Sequence, residues 1–127
     1  MNAKISTFKL NHQQAYDLAN KAVLKAGAHA DVAYSLANSI VAAESAKRPA
    51  LGFVHLLDYL DGFRTGRIAT TSEPVCEYPT PTAIKVDAQK GIAQLAFDRE
   101  FERIVKTSNL YGLSLFTQCN SYTVGEL

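Results

Sequence analysis

Apolar residues at helical spacing fill the first half of the chain. Ala15, Leu18, Ala19, Ala22, Val23 and Ala26 recur at intervals of three and four, the repeat that lines one face of an α-helix. Asn11 followed by Gln14 has capping-box spacing, in which the Asn side chain accepts a free backbone N–H and the Gln reaches back; Gly27 supplies the stop. A second helix is expected to be capped by Asp31 and to turn Ala33, Leu36, Ala37, Ile40 and Val41 to one side. Pro49, with its fixed φ and missing N–H, ends that helix or opens the next. A third helix is predicted from about Leu51 to Leu60, with Phe53, Leu56, Leu57 and Leu60 inward and Gly62 and Gly66 closing it.

The pattern then changes. Residues 70–81 hold Pro74, Pro79 and Pro81 among polar residues, which predicts an extended connector without a regular element. Ala83-Ile84-Lys85-Val86-Asp87 alternates apolar and polar as a strand does. A long helical stretch opens at Gly91 and runs through Leu95, Phe97, Phe101, Ile104 and Val105 to Gly112. Leu113 to Thr117 is a second strand. Strand, helix and strand at this spacing form a crossover with parallel strands. The fold class expected is α+β, or a small α/β: three N-terminal helices packed with a short parallel βαβ unit. It forms one domain over 1–127, with a helical part at about 11–69, the Pro-rich connector at about 70–81 and the βαβ part at about 82–120. The helices are expected to cover one face of the sheet. Two strands leave open edges, which predicts self-association into a dimer or completion by a second chain.

Composition narrows the function classes. A length of 127 residues suits one modest core, and a formal charge of +1 with interspersed signs argues against nucleic acid. The nearest basic grouping, Lys47-Arg48 with Arg64 and Arg67, is thin. Met1 to Leu10 lacks the apolar run of a signal peptide, and no stretch has the length of a membrane span. Cys76 and Cys119 stand far apart with no zinc-like spacing, so both are expected to be buried or half-buried thiols in a cytoplasmic protein.

Several spaced residues resemble the malate/L-lactate dehydrogenase family, whose members include sulfolactate and ureidoglycolate dehydrogenases and certain cyclic-imine 2-carboxylate reductases. That family begins with a helical segment, then Ser-His-Gly-Val-x-Arg-Leu-x-x-Tyr and Leu-x-x-Gly-x-Ile. Residues 50–59, Ala-Leu-Gly-Phe-Val-His-Leu-Leu-Asp-Tyr, fall in that register, followed by Phe63-Arg64-Thr65-Gly66-Arg67-Ile68. Val86-Asp87-Ala88, Gly91 and Gly112-Leu113-Ser114-Leu115 resemble the family's next run. The likeness extends from about Gln14 to Gly125 and implies an NAD(P)-dependent fold distinct from the Rossmann dehydrogenases.

The departures bear on chemistry. Leu51 stands where the family carries its motif histidine, and a leucine neither donates nor accepts a proton. His55 stands at the motif arginine, whose planar fork suits a carboxylate as an imidazole does not. In the family's Asn-Ser-x-His-x-Gly-x-x-Gly stretch, Asn120 falls at the histidine, Tyr122 at the first glycine, and Gly125 alone matches. The chain reaches Leu127 before the region that holds the cofactor in the family. The resemblance therefore implies no catalytic, cofactor-binding or metal residue in this chain alone, with NAD(P) entering only if a partner chain completes the site. A residual ligand cleft is expected at Leu51, Gly52, His55, Tyr59 and Asn120.

Other chemistry-bearing residues have plainer explanations. His55 lies one turn beyond Leu51, which puts its imidazole within reach of the vacated position, although a partly exposed helix histidine is commoner. His12 and His29 are expected in solvent. Asp58 and Asp61 share a face as a solvated helix end rather than an acid–base pair. Tyr59 either lines a pocket or packs at the helix end. Cys119 lacks a base near it in sequence and is expected as a small buried residue at a strand end. Lys85, Lys90, Arg99 and Arg103, with Glu100 and Glu102, are expected as solvated charges. Gly91, without a G-x-G-x-x-G run, is a weak phosphate signal. The resemblance and its departures imply three functional expectations: a non-catalytic assembly, regulatory or small-ligand-binding module, one subunit of a split dehydrogenase or imine reductase, or a remnant without function.

Overall fold

The computed structural model describes residues 6–122. Helix α1 spans His12–Lys25 and starts on the expected capping box: Gln14 N–H donates to Asn11 Oδ1 at 2.8 Å, and Asn11 N–H donates to Gln14 Oε1 at 2.9 Å. Its buried stripe is Ala15, Ala19 and Val23. Helix α2 spans Ala30–Ser45 and buries Val32, Ala33, Leu36, Ala37, Ile40 and Val41. His29, not Asp31, occupies its N-cap. Asp31 lies in the first turn, where its carboxylate faces the positive end of the helix and binds Arg99 at 2.7 Å. Pro49 opens a short 3₁₀ turn, Pro49–Leu51, that leads into helix α3, Phe53–Arg64.

Helix α3 runs past its predicted end. Gly62 is inside it and buried, because a Cβ there would come within 2.4 Å of the Ile68 side chain. Leu56 is buried and Phe53 and Leu60 pack against the core, whereas Leu57 points outward at 68% exposure. The larger core joins α1, α2 and α3 through Val23, Leu36, Ile40, Tyr59, Phe63 and Ile68, and reaches Ile92 and Leu95 near the start of the fourth helix.

Residues 75–80 form strand β1, Val75–Thr80, inside the stretch expected to lack regular structure. It pairs antiparallel with β2, Ala83–Asp87 (Cys76 opposite Val86, Glu77 opposite Lys85), and the register shifts between Glu77 and Thr80. Pro79 falls in that irregular stretch of an edge strand, where a missing N–H breaks no interior ladder. Strand β3 is Leu115–Cys119, two residues beyond the predicted span, and it pairs parallel with β2 across helix α4, Ala93–Tyr111. The sheet therefore has order β1-β2-β3 and mixed direction. Gly112 closes α4 with φ +84°, a conformation that glycine enters without a Cβ penalty.

Helix α4, rather than the first three helices, covers the sheet. Ile84, Val86 and Ala88 pack with Ala96, flanked by Cys76, Ile104 and Phe116. Phe101 and Val105 of α4 lie on its outer side, exposed.

Candidate functional site

Helix α3 sets His55 and Tyr59 four residues apart on one face. Its start is held from outside: Phe53 N–H donates to Glu44 Oε1 at 2.8 Å, so a carboxylate from α2 meets the positive end of α3. Gly52 is buried against this carboxylate, and a Cβ on it would approach Glu44 Oε1 to 2.2 Å. Leu51 is half-buried at the end of the 3₁₀ turn.

The chain beyond β3 completes the cluster. Lys90 N–H donates to the Asn120 carbonyl at 2.8 Å and Tyr122 N–H to the Gly91 carbonyl at 2.9 Å, which bring Tyr122 against α3. The Tyr122 ring lies 5.2 Å from Tyr59 at 67°, and 6.4 Å from His55 nearly parallel. His55 and Tyr59 meet edge-on at 4.8 Å. Arg67 holds its guanidinium 5.6 Å from the centre of the Tyr122 ring and pairs with Asp61 at 3.1 Å. His55 Nδ1 is 3.5 Å from Asp58 Oδ2. Asp58 and Asp61 thus each have a partner at a solvated helix end.

Tyr59 is fully buried, and its hydroxyl accepts from Gln94 Nε2 at 3.0 Å. The same nitrogen lies 3.4 Å from Ser39 Oγ. Gln94 is buried as well, and its Oε1 has no hydrogen-bond partner among the described residues. Among the residues of the expected cleft, the structure brings His55 and Tyr59 together and places Leu51 and Gly52 just ahead of them in the chain. Asn120 is engaged elsewhere. It is exposed, at φ +53°, and its amide donates to Asp87 Oδ1 at 3.0 Å. Gly125 and residues 123–124 lie outside the described residues.

Of the residues expected as solvated charges, Lys85, Lys90 and Glu102 are exposed, whereas Arg99, Glu100 and Arg103 make specific contacts along α4. Arg99 bridges Asp31 and Glu73 across the surface, and its guanidinium, bonded to Glu73, holds that carboxyl below the ordinary carboxylate range. Glu100 is buried and accepts the Tyr78 hydroxyl at 3.1 Å, while Arg103 stacks 3.9 Å over the Tyr78 ring. Burial and then Glu100 push the Cys76 thiol up. Cys76 is half-buried as expected; Cys119, expected to be buried, is exposed because alternate residues of β3 face away from α4. His12 and His29 are exposed. Among the described residues, no group of three or more His, Cys, Asp or Glu gathers to hold a metal, and no helix is long and apolar enough to cross a membrane.

The turn into α4 is poorly suited to a cofactor phosphate. Gly91, Ile92 and Ala93 are buried. A Cβ on Gly91 would lie 1.9 Å from Ser72 Oγ, and Gly91 N–H already donates to the Ala88 carbonyl at 2.8 Å. Gly91 therefore allows close packing against Ser72 rather than approach of a phosphate.

The family model described as Malate/L-lactate dehydrogenase matches residues 10–127. The chain belongs to the malate/L-lactate dehydrogenase family. Among curated relatives, the delta(1)-pyrroline-2-carboxylate reductase of Ancylobacter novellus is 24% identical over 119 residues, covering 94% of this chain and 35% of the reductase. The delta1-piperideine-2-carboxylate reductase of Pseudomonas syringae pvar. tomato superposes with a TM-score of 0.85 at 23% identity, over 91% of this chain and 35% of that one. The malate dehydrogenase of Pyrococcus horikoshii OT3 gives 0.83 at 19% identity, over 93% and 34%. The chain spans about a third of the length of these relatives, and the fold it shares with them is their matching portion. Within this family member, sequence reasoning missed Gln94 and Glu44. Gln94 was visible only as a polar residue interrupting an apolar run, and Glu44 carried no signal.

Proposed function

We propose that this chain is a non-catalytic member of the malate/L-lactate dehydrogenase family, a self-associating module that retains a surface for a small carboxylate ligand. The observation that carries the reading is the placement of Tyr122. In the family resemblance its position belongs to a glycine, where close backbone approach helps form the active site; here a phenol ring packs against both His55 and Tyr59. Leu51, at the motif histidine, offers no proton, and no step of hydride transfer is assigned to these residues. Arg67 borders the Tyr122 ring beside His55, and its guanidinium, which also pairs with Asp61, presents N–H donors suited to a carboxylate.

The test is a melting-temperature screen of the purified chain against hydroxy acids, keto acids and nicotinamides. A hydroxy or keto acid is expected to raise the midpoint with increasing concentration, and Arg67→Ala to abolish the shift. No shift across the panel sinks the ligand reading. A second reading is favoured by the one-third coverage of the relatives: the chain is one subunit of a split enzyme whose other polypeptide supplies the NAD(P) site. That reading requires NAD(P)H-dependent reduction of a keto acid or cyclic imine when both chains are mixed, and a mixture without a rate removes it.

A further inference from the structure

Arg103, Lys106, Thr107, Leu110 and Tyr111 recur at intervals of three and four along α4 and so share one flank of the helix. With Pro81, from the turn between β1 and β2, they line a groove of about 480 Å³, a size in the range of small-molecule sites. Thr107 is only 8% exposed, yet its hydroxyl makes no hydrogen bond among the described residues. A helical threonine commonly turns its hydroxyl back to a carbonyl of the preceding turn, as Thr65 does to Asp61 at 2.8 Å at the end of α3. A largely buried hydroxyl left without a partner is costly, and here it lies where a ligand can supply one.

The neighbours of Thr107 fix the sign of that ligand. Arg103 stacks 3.9 Å over the Tyr78 ring, with its Nε 3.6 Å from Glu100, so its guanidinium is held in place at the groove. Lys106 forms no ion pair among the described residues. A guanidinium, an ammonium and a hydroxyl thus stand within about one turn of helix, a donor set suited to an oxyanion. Glu102 also lines the groove and opposes an anion, but the two cations outweigh it. The carbonyl end of α4 lies at Tyr111 and repels negative charge as well. The charged group is therefore seated at Arg103, Lys106 and Thr107. Leu110 and Tyr111, 70% and 53% exposed, remain for an apolar body.

We propose that this groove binds a small organic oxyanion, a phosphate or carboxylate attached to an apolar body, at a site separate from the cleft of His55, Tyr59 and Tyr122. The experiment titrates phenyl phosphate, benzoate and inorganic phosphate into the isotope-labelled 127-residue chain at constant ionic strength and follows the backbone amide resonances. Saturable shifts are expected over residues 102–111, and the tighter of the two ring-bearing probes identifies the head group. Phenyl phosphate is expected to bind roughly tenfold more tightly than inorganic phosphate, because its ring covers Leu110 and Tyr111. Thr107→Val keeps the branched shape and removes the hydroxyl, and is expected to weaken binding by roughly tenfold. Without ligand the same variant should melt no lower than wild type, since the hydroxyl satisfies nothing in the free chain. Lys106→Gln is expected to weaken binding by roughly three- to fivefold, and Glu102→Gln to strengthen it by a similar factor. No saturable shift, shifts that sodium chloride reproduces, or shifts confined to His55 and Tyr122 would overturn the site. So would binding that is unchanged in both Thr107→Val and Lys106→Gln.

Discussion

Replacing Tyr59 by Phe removes one oxygen from the fully buried centre of the site, and its consequence follows from Gln94. The amide is 2% exposed, and its Nε2 donates to the Tyr59 hydroxyl at 3.0 Å, with Ser39 Oγ the longer neighbour at 3.4 Å. Its Oε1 is buried without a hydrogen bond among the described residues, so the amide is held mainly through the phenol. Tyr59→Phe keeps the ring contacts with His55 and Tyr122 but strands the amide, at a cost of about 1–3 kcal/mol. For a chain of this size that corresponds to a melting midpoint lower by roughly 3–5 °C per kcal/mol. Gln94→Met removes the donor together with the unsatisfied carbonyl and fills a similar volume, so its cost is expected to be about 1 kcal/mol or less. The double variant should match Gln94→Met and be more stable than Tyr59→Phe alone. Urea unfolding followed by far-UV circular dichroism measures all four proteins. A near-neutral Tyr59→Phe, or two single costs that simply add in the double variant, would refute the argument that the phenol satisfies the amide.

Gly91→Ala would set a Cβ 1.9 Å from Ser72 Oγ and 2.9 Å from the Ala88 carbonyl, so a loss of about 1–3 kcal/mol is expected in the same assay. Adding Ser72→Ala should recover only part of it, because the carbonyl remains; full recovery would show that the backbone contact is harmless. Acid titration tests the Arg99 bridge. Because Arg99 holds the Glu73 carboxyl below its ordinary value, the ion pair's contribution is complete above the ordinary carboxylate range and is lost as pH falls through the lowered value. Glu73→Gln should therefore flatten the acid limb of the melting temperature and leave its neutral-pH salt sensitivity reduced. Superimposable acid limbs would dismiss the pair as a stabilising element, which the exposure of Glu73 allows only to be small.

The helical half was legible because its information is periodic and local. The Asn11–Gln14 box and the Ala33 to Val41 stripe each need only one element to be read, and both formed where expected. The failures came where a neighbour far along the chain decides. Strand β1 carries Pro79 and mostly exposed residues, so nothing local marks it; it exists because Cys76 and Glu77 find partners on β2. Gly62 reads as a stop, yet α3 continues through it, and its missing side chain leaves the space that Ile68 fills. Leu57 and Leu60 are indistinguishable by residue type, and only the position of the core separates the exposed one from the packed one.

The same distinction governs the site. His55 and Tyr59 were legible as one face of α3, but the partners that give them meaning are encoded elsewhere: Gln94 in α4 and Tyr122 beyond β3, with Glu44 of α2 holding the start of their helix. Tyr122 is the telling case. Read as a departure from a glycine motif, it registers only as a loss. Folded, it is a gain of contact, since its N–H is tied to Gly91 and its ring meets His55, Tyr59 and Arg67. Aromatic pairs of this kind contribute about 0.5–1.5 kcal/mol each beyond their buried area. A ring so placed stabilises the contact between the turn after β3 and α3, at the position where the resembling motif keeps backbone close to substrate. Under the proposed function, stability and ligand access therefore compete at Tyr122. A ligand that enters beside His55 must either displace the ring or bind at its edge, where Arg67 already stands.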